Sequence, residues 1–152
     1  MNKLHIIGKL SDKFYAFEDK DAEIWGCNWH DDFNKLPRYD LWFDIHEPLS
    51  EQIIQNINCT KLMRYDANLY KTAYNTLGGE YINNSMCYML FYAYLMGYKH
   101  VKFYGCALLN DTEIRYHQRE ALNMVIMFCR GKGMIIESNR PELFITYNRY
   151  PN

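Results

Sequence analysis

Asp44 and His46 are the residues of this sequence whose types and spacing most readily support catalysis. Residues two apart on an extended strand point to the same face, so the carboxyl group and the imidazole would lie side by side. Together they could transfer a proton as general acid and base, bind a metal ion, or form a hydrogen-bonded pair that closes the strand. No third histidine or cysteine lies nearby at a recognised metal spacing, so we predict a catalytic pair and no metal site.

The first candidate phosphate-binding turn has the sequence Gly8-Lys9-Leu10-Ser11 and follows an apolar segment at residues 4–7. It is neither a Walker A loop nor a G-x-G-x-x-G motif. A glycine-containing turn still lets backbone N–H groups approach an anion closely, and Lys9 would add a positive charge. The turn therefore binds a phosphate through Gly8, Lys9 and Ser11, or it is an ordinary connection with a solvated lysine.

Two further turns place polar and aromatic groups at the ends of apolar segments. Asn28 and Trp29 follow the second such segment, and Gly105 follows a later one. The Asn28 amide could hydrogen-bond a base or a ribose, and the Trp29 indole could stack on a flat ring. The alternative is a turn-forming asparagine beside a core tryptophan. We predict that Asn28, Trp29 and Gly105 contact the ligand.

Two predicted helices supply the remaining candidate ligand contacts. Asn84 and Ser85 precede a helix that extends through residue 96, and free N–H groups at a helix start favour an anion. Gln118 and Arg119 lie in the first two turns of the last helix, where the guanidinium could hold a phosphate or a carboxylate. The alternatives are plain N-capping at the first helix and a solvated face on the last. We predict all four as ligand-binding residues.

These residues need a scaffold that brings the strand ends together. Short apolar segments alternate with longer segments of helical periodicity, which indicates a mainly parallel sheet covered by helices on both faces. The predicted strands are residues 4–7, 23–25, 40–45, 61–63, 100–104 and 134–137. The predicted fold is therefore α/β, a three-layer Rossmann-like sandwich, and its ligand binds beyond the carboxyl ends of the strands.

Several local expectations accompany this fold. One domain spans residues 1–152, because the length suits a single core. Within it, residues 143–152 are expected to form a C-terminal arm. Ser50 and Thr112 are predicted to begin helices, and Gly26 to start the turn after the second strand. Residues 64–80 are polar and aromatic and contain two adjacent glycines, so we predict a flexible loop there.

Composition excludes some classes of partner. The formal net charge is −1 over 152 residues, so no overall field attracts duplex nucleic acid or an anionic membrane. The five cysteines are scattered without a C-x-x-C pair, which argues against a disulfide framework and against a thiolate zinc site. No signal peptide precedes the first strand, and the longest apolar run is far below the ~18 residues that span a bilayer. These features predict a cytoplasmic protein; they identify no cofactor.

Six short motifs together resemble a family of small uncharacterised phage and prophage proteins. The family pattern includes a "W-G-x-N" strand end, a "D-x-x-F-x-x-H" strand, a "T-S-S-x-x-Y-M" helix start, an "I-x-L-Y-G-x-D-M" strand, a "Q-R" helix and a "G-R-G" turn. The matching positions are residues 25–28, 40–46, 83–89, 101–105, 118–119 and 131–133. The family is distantly similar to Rossmann-like glycosyltransferase and pterin-pyrophosphokinase-like domains, so the resemblance implies a nucleotide-related ligand and, for a phage protein, the host cytoplasm.

Within the matching segments, Asn83 and Asn84 stand in place of the first Thr-Ser and Lys132 stands in place of the arginine. Two further departures bear on function. Its first turn lacks the "G-x-G-P-S" form of the glycosyltransferase-like relatives, and Cys106-Ala107 stands where the pattern has "x-D". If the missing acid contributes to catalysis in relatives, this chain binds a ligand without converting it. The departure therefore weakens an enzymatic function more than a binding function.

Three functions follow as hypotheses. The first is a phage-type protein that binds a nucleotide or nucleotide derivative and sequesters a host nucleotide signal. The second is a small glycosyl- or phosphoryl-group transferase or a nucleotide hydrolase with Asp44 or His46 as general base. The third is a protein-interaction module, because the 14 tyrosines would suit an interface, and a homo-oligomer is a further expectation. The first two predict that Asn28→Ala or Arg119→Ala abolishes ligand binding while the melting temperature stays nearly unchanged.

Overall fold

A six-stranded parallel sheet forms the centre of the protein. The computed structural model describes residues 3–108 and 113–146, of which residues 113 and 114 are described by their backbone alone. The strands are β1 Lys3–Ile7, β2 Glu23–Cys27, β3 Leu41–Phe43, β4 Leu62–Met63, β5 His100–Tyr104 and β6 Ile135–Ser138. They are arranged in the order β4-β3-β2-β1-β5-β6, and every neighbouring pair is parallel. The α/β fold with a parallel sheet is therefore confirmed.

Helices connect the strands on both sides of the sheet. The α-helices are α1 Glu51–Asn56, α2 Ala67–Leu77, α3 Ser85–Leu95 and α4 Glu113–Gly131. Short 3₁₀ helices cover Ser11–Phe17, Phe33–Lys35, Cys59–Lys61 and Pro141–Leu143. Ser50 is the N-cap of α1, as predicted, because its Oγ accepts a hydrogen bond from the Ile53 N–H. Thr112, the predicted start of α4, lies outside the described residues.

The alternation of side chains along each strand divides the core into two layers. Ile6, Trp25 and Phe43 pack with α2, α3 and α4 on one face of the sheet. Ile24 and Trp42 point to the other face, where they pack with α1 and the first two 3₁₀ helices. Successive strand residues face opposite sides, so short strands are enough to build both layers. The three-layer sandwich is confirmed.

Helix α2 lies where the sequence predicted a flexible loop, so that prediction is wrong. Asp66 caps the helix by accepting a hydrogen bond from the Asn68 N–H at 2.8 Å. Leu69 and Ala73 lie four residues apart and form the buried contact of an otherwise largely exposed helix. Gly78 ends the helix at φ +76, in the left-handed conformation that glycine adopts most readily. The two caps, the buried pair and the partly buried Tyr70 and Leu77 thus stabilise a helix in this polar segment.

Gly26 does not form the predicted turn. It lies inside β2, and a Cβ atom at this position would come within 2.4 Å of the Trp42 indole. The glycine therefore makes room for a large core side chain on the neighbouring strand. The chain turns instead at Asn28, whose φ is +60.

Candidate functional site

A cavity of about 550 Å³ lies beyond the carboxyl ends of β1, β2 and β3. In a parallel sheet these strand ends share one edge, and ligands of open α/β sheets bind in the crevice outside it. The N-terminus of α3 and the first turns of α4 close the cavity on one side. Six of the twelve predicted site residues line it: Lys9, Asn28, His46, Asn84, Ser85 and Gln118. Residues from five separate segments of the chain are therefore brought together.

Asn28 links the turn after β2 to the start of α3. Its backbone N–H donates to the Phe43 carbonyl at 2.9 Å, and its carbonyl accepts from the Trp42 indole N–H at 2.8 Å. Its side-chain Oδ1 accepts a hydrogen bond from Ser85 Oγ at 3.4 Å. Because both backbone groups are engaged by β3, the side chain is held at the cavity wall in a left-handed turn.

Asp44 and His46 form the pair that their spacing predicted. Asp44 is 4% exposed, and its Oδ1 accepts hydrogen bonds from both the backbone N–H and the Nδ1 of His46, each at 2.9 Å. The His46 side chain is 67% exposed and lines the cavity. A carboxylate on Nδ1 fixes the proton there and leaves Nε2 as the basic nitrogen, which is the arrangement of a general base.

The start of α3 combines a helix cap with a contact between helices. Asn84 Oδ1 accepts hydrogen bonds from the Met86 and Cys87 N–H groups at 3.0 and 3.1 Å, so Asn84 is the N-cap of α3, the alternative given above to ligand binding. Its Nδ2 donates to the Gln118 carbonyl on α4 at 3.0 Å. The amide is thus largely used in structure. By capping the helix it orients the first turn of α3, whose dipole favours negative charge at the cavity.

Gly8 and Gly105 are required by close backbone packing between two turns. A Cβ atom at Gly8 would lie 2.3 Å from the Gly105 carbonyl oxygen, and Gly105 has a φ of +65. The Gly8 N–H donates to the Tyr104 carbonyl and the Leu10 N–H donates to the Gly105 carbonyl. These N–H groups are therefore occupied, and in the first turn only Lys9 lines the cavity.

Three predicted ligand contacts lie elsewhere. Ser11 is exposed at the start of the first 3₁₀ helix, and Trp29 lines a neighbouring cavity. Arg119 donates hydrogen bonds to the carbonyls of Glu142 and Phe144 at 3.0 and 2.9 Å. Arg119 thus holds the start of the expected C-terminal arm against α4, and its guanidinium does not line the cavity; residues 147–152 lie outside the described residues.

Tyr70 and Arg115 line the cavity although the sequence did not single them out. Tyr70 belongs to α2, which was predicted as a loop, and burial raises the pKa of its hydroxyl to about 12. Arg115 donates to the side chain of Gln118 at 3.0 Å. Its position three residues before Gln118 on a helix is the signal that could have identified it. Cys27 also lines the cavity, but burial raises the pKa of its thiol to about 12, so it is not a thiolate nucleophile.

A buried network supports the turn that carries Lys9. The Lys13 side chain is fully buried, and its ammonium contacts Asp32 Oδ1, His30 Nδ1 at 3.2 Å and the Lys9 carbonyl at 3.4 Å. Burial, together with the Lys13 charge, lowers the pKa of His30 to about 4. His30 is therefore neutral at pH 7, with Nδ1 accepting from the ammonium. The network fixes the backbone of Lys9 at the mouth of the cavity.

The described part of the chain contains neither a candidate metal cluster nor a candidate membrane-spanning helix. No group of three or more histidine, cysteine, aspartate or glutamate side chains there could hold a metal ion. None of the helices described has the length and hydrophobicity to cross a membrane.

The protein is therefore an α/β protein with a crevice at the carboxyl edge of a parallel sheet. No family model matches the chain, and no curated protein matches it. A solved structure of a mutant of the alpha-2,3/8-sialyltransferase CstII is similar to this chain at 12% sequence identity, with a TM-score of 0.48. The similarity covers 97% of this chain and 90% of that chain. The phage family suggested by the sequence motifs stays a prediction.

Proposed function

We propose that this protein binds a nucleotide or a nucleotide derivative in the cavity at the carboxyl edge of the sheet. The observation that carries the proposal is the convergence of Lys9, the Asn28 amide and the N-terminus of α3 around one crevice. Within the described ranges, the exposed Lys9 ammonium makes no hydrogen bond or ion pair. A phosphate between Lys9 and the first turn of α3 would gain both a charge and a favourable helix dipole.

The rest of the cavity suits the nucleoside part of such a ligand. Ile45, Ile82 and Met86 provide apolar wall, while Asn28 and Gln118 provide amide donors and acceptors for a base or a ribose. The volume of about 550 Å³ lies within the range of small-molecule sites, about 300–1,000 Å³. In its finer form the proposal is a protein that retains an intact nucleotide signal and thereby sequesters it.

A thermal-shift panel of nucleotides, cyclic and linear dinucleotides and nucleotide sugars tests the binding function. A ligand at about 100 times its dissociation constant should stabilise the fold by about 2.7 kcal/mol, which raises the melting temperature by several degrees. Lys9→Gln should remove most of this shift because the phosphate loses its cation. Lys20→Gln, a change at another exposed lysine away from both cavities, is the matched control. If no nucleotide stabilises the folded protein, the binding function is wrong and a protein-interaction module becomes the better hypothesis.

Group transfer is a second candidate function, favoured by the Asp44–His46 pair. His46 Nε2 could accept the proton of an acceptor hydroxyl or of water. The oxygen of that acceptor would then attack the glycosyl carbon or the phosphorus of the transferred group. The bond from this atom to the nucleotide breaks, and the nucleotide leaves with the bonding electrons. Asp44 would hold the imidazole in the required tautomer and stabilise its positive charge.

Recovery of the ligand after incubation separates the two candidates. With a transferase or hydrolase, the bound nucleotide returns converted, and His46→Gln slows conversion by about 10²–10⁴-fold with little change in affinity. With a sequestering protein, the ligand returns intact from both wild type and His46→Gln. Intact ligand from wild type, tested with hydroxyl acceptors and water, would exclude the transfer function.

A further inference from the structure

A second cavity of about 540 Å³ adjoins the first at Lys9. It is lined by Lys9, Trp29, His30, Asp31, Asp32 and Lys35. Because Lys9 lines both cavities, the two cavities meet at this residue. A mononucleotide that fills the first cavity would leave the second one empty.

Rigid groups form much of the wall of this second cavity. The Trp29 indole packs against the buried Phe33 ring, with centroids 5.5 Å apart, so the core holds its plane. His30 is 2% exposed and packs edge-on against Trp42, with centroids 5.1 Å apart. A wall built in this way is prepared to receive a ring without rearranging.

The charges around the second cavity favour a phosphate beside a hydroxyl-bearing group. The buried Lys13 ammonium neutralises Asp32, and His30 is uncharged at pH 7. The exposed groups that remain are Lys9, Lys35 and the carboxylate of Asp31, which leaves one excess positive charge. The lysines suit phosphate oxygens, and a carboxylate accepts hydrogen bonds from the hydroxyls of a ribose or another sugar.

We infer that the ligand is a two-ended molecule in which a nucleoside is joined through a pyrophosphate to a second ring. The nucleoside occupies the first cavity, the pyrophosphate lies at Lys9, and the second ring packs on Trp29 with its hydroxyls on Asp31. This inference rests on the proposed nucleotide-binding function and names its substrate class. The second ring is a nucleoside, as in a dinucleotide, or a sugar, as in a nucleotide sugar, since both combine a ring with hydroxyls.

Calorimetric titrations with matched pairs test the inference. The pairs are ADP with ADP-ribose, ADP with NAD⁺, and UDP with UDP-glucose. For the nucleoside diphosphate that binds, the two-ended partner should bind about tenfold or more tightly, the gain expected from stacking on one aromatic ring. A larger gain in affinity with NAD⁺ than with ADP-ribose identifies the second ring as a nucleoside. A gain in affinity with ADP-ribose or UDP-glucose that NAD⁺ does not exceed identifies it as a sugar.

Variants of the second cavity complete the test. Trp29→Ala and Asp31→Asn should each remove most of the gain while leaving the affinity for the nucleoside diphosphate unchanged. Asp31 is exposed, so its variant should fold normally, and Asp21→Asn is the matched change at an exposed aspartate away from both cavities. Equal affinities for both members of each pair, or an equal loss for both in Asp31→Asn, would overturn the inference while the binding function stands. Absence of binding to every nucleotide would overturn the proposed function itself.

Discussion

Asn28 serves the site through both its backbone and its side chain. At φ +60 an ordinary L-residue is strained by roughly 1–2 kcal/mol, whereas asparagine and glycine adopt this conformation more readily. This geometry favours a loss of stability in Asn28→Ala over the nearly unchanged melting temperature expected from the sequence. We expect Asn28→Ala to lose about 1 kcal/mol of unfolding free energy, and Asn28→Gly to lose much less.

Urea denaturation and nucleotide titration of the two Asn28 variants separate these roles. Both variants lack the amide that contacts Ser85 and faces the cavity, so both should bind a nucleotide more weakly than wild type. Their difference in stability then measures the strain of alanine at positive φ, less the greater entropy of glycine in the unfolded chain. Wild-type affinity in Asn28→Gly would show that the amide does not contact the ligand.

The site residues that could be predicted are those that directly follow a strand or precede a helix. Asn28, His46 and Asn84 satisfy this rule, because a parallel sheet brings such positions to one edge. Lys13, His30 and Asp32 do not. Their contacts join residues 17 and 19 positions apart in a segment without regular periodicity, and a fully buried lysine is rare enough that no sequence rule favours it.

At the scale of helices and strands, Arg119 is a structural residue of α4. Its guanidinium donates to two carbonyls of the segment after the last 3₁₀ helix, and the nearby Asn123 both donates to the Leu143 carbonyl and accepts from the Ile145 N–H. Arg119→Ala should therefore reduce the unfolding free energy by about 1–3 kcal/mol, since two charge-assisted hydrogen bonds are lost. Nucleotide affinity should stay unchanged.

Chemical denaturation and limited proteolysis of Arg119→Ala check this prediction. Cleavage near Phe144 should become faster because the segment is released from α4. Glu120→Ala changes the neighbouring exposed residue of the same helix and should have a much smaller effect. If Arg119→Ala instead binds nucleotide more weakly and keeps its stability, Arg119 contacts the ligand, as the sequence predicted.

In the whole molecule, the positions of the strands follow from the sequence, whereas the order of the strands in the sheet does not. Six short apolar segments each form a strand within two residues of the predicted bounds, because each segment is bounded by polar or turn-forming residues. The order of strands in the sheet and the paired cavities depend on tertiary packing. They could not be derived from periodicity, which records only which face of each element is buried.

Buried His30 makes the stability of the whole molecule depend on pH. Its pKa is lowered from 6.5 to about 4, by burial first and by the Lys13 ammonium second. Above pH 6.5 the imidazole is neutral in both the folded and unfolded chain, so it makes no difference to stability. Between pH 6.5 and 4 the unfolded chain takes up a proton that the folded chain does not. The unfolding free energy must therefore fall as the pH is lowered through this window.

The His30→Asn variant isolates this contribution. Asparagine can still accept a hydrogen bond from Lys13 but does not titrate, so wild type should lose about 3 kcal/mol more than the variant between pH 6.5 and 4. His5, whose pKa is also lowered by burial, titrates in both proteins and cancels in the difference. Asp32 ionises below the window because its own pKa is lowered, with Lys13 as its hydrogen-bond partner. Parallel stability curves for the two proteins would mean that His30 takes up its proton at the same pH in the folded and unfolded chain, and the Lys13 ammonium could not then lie against its ring.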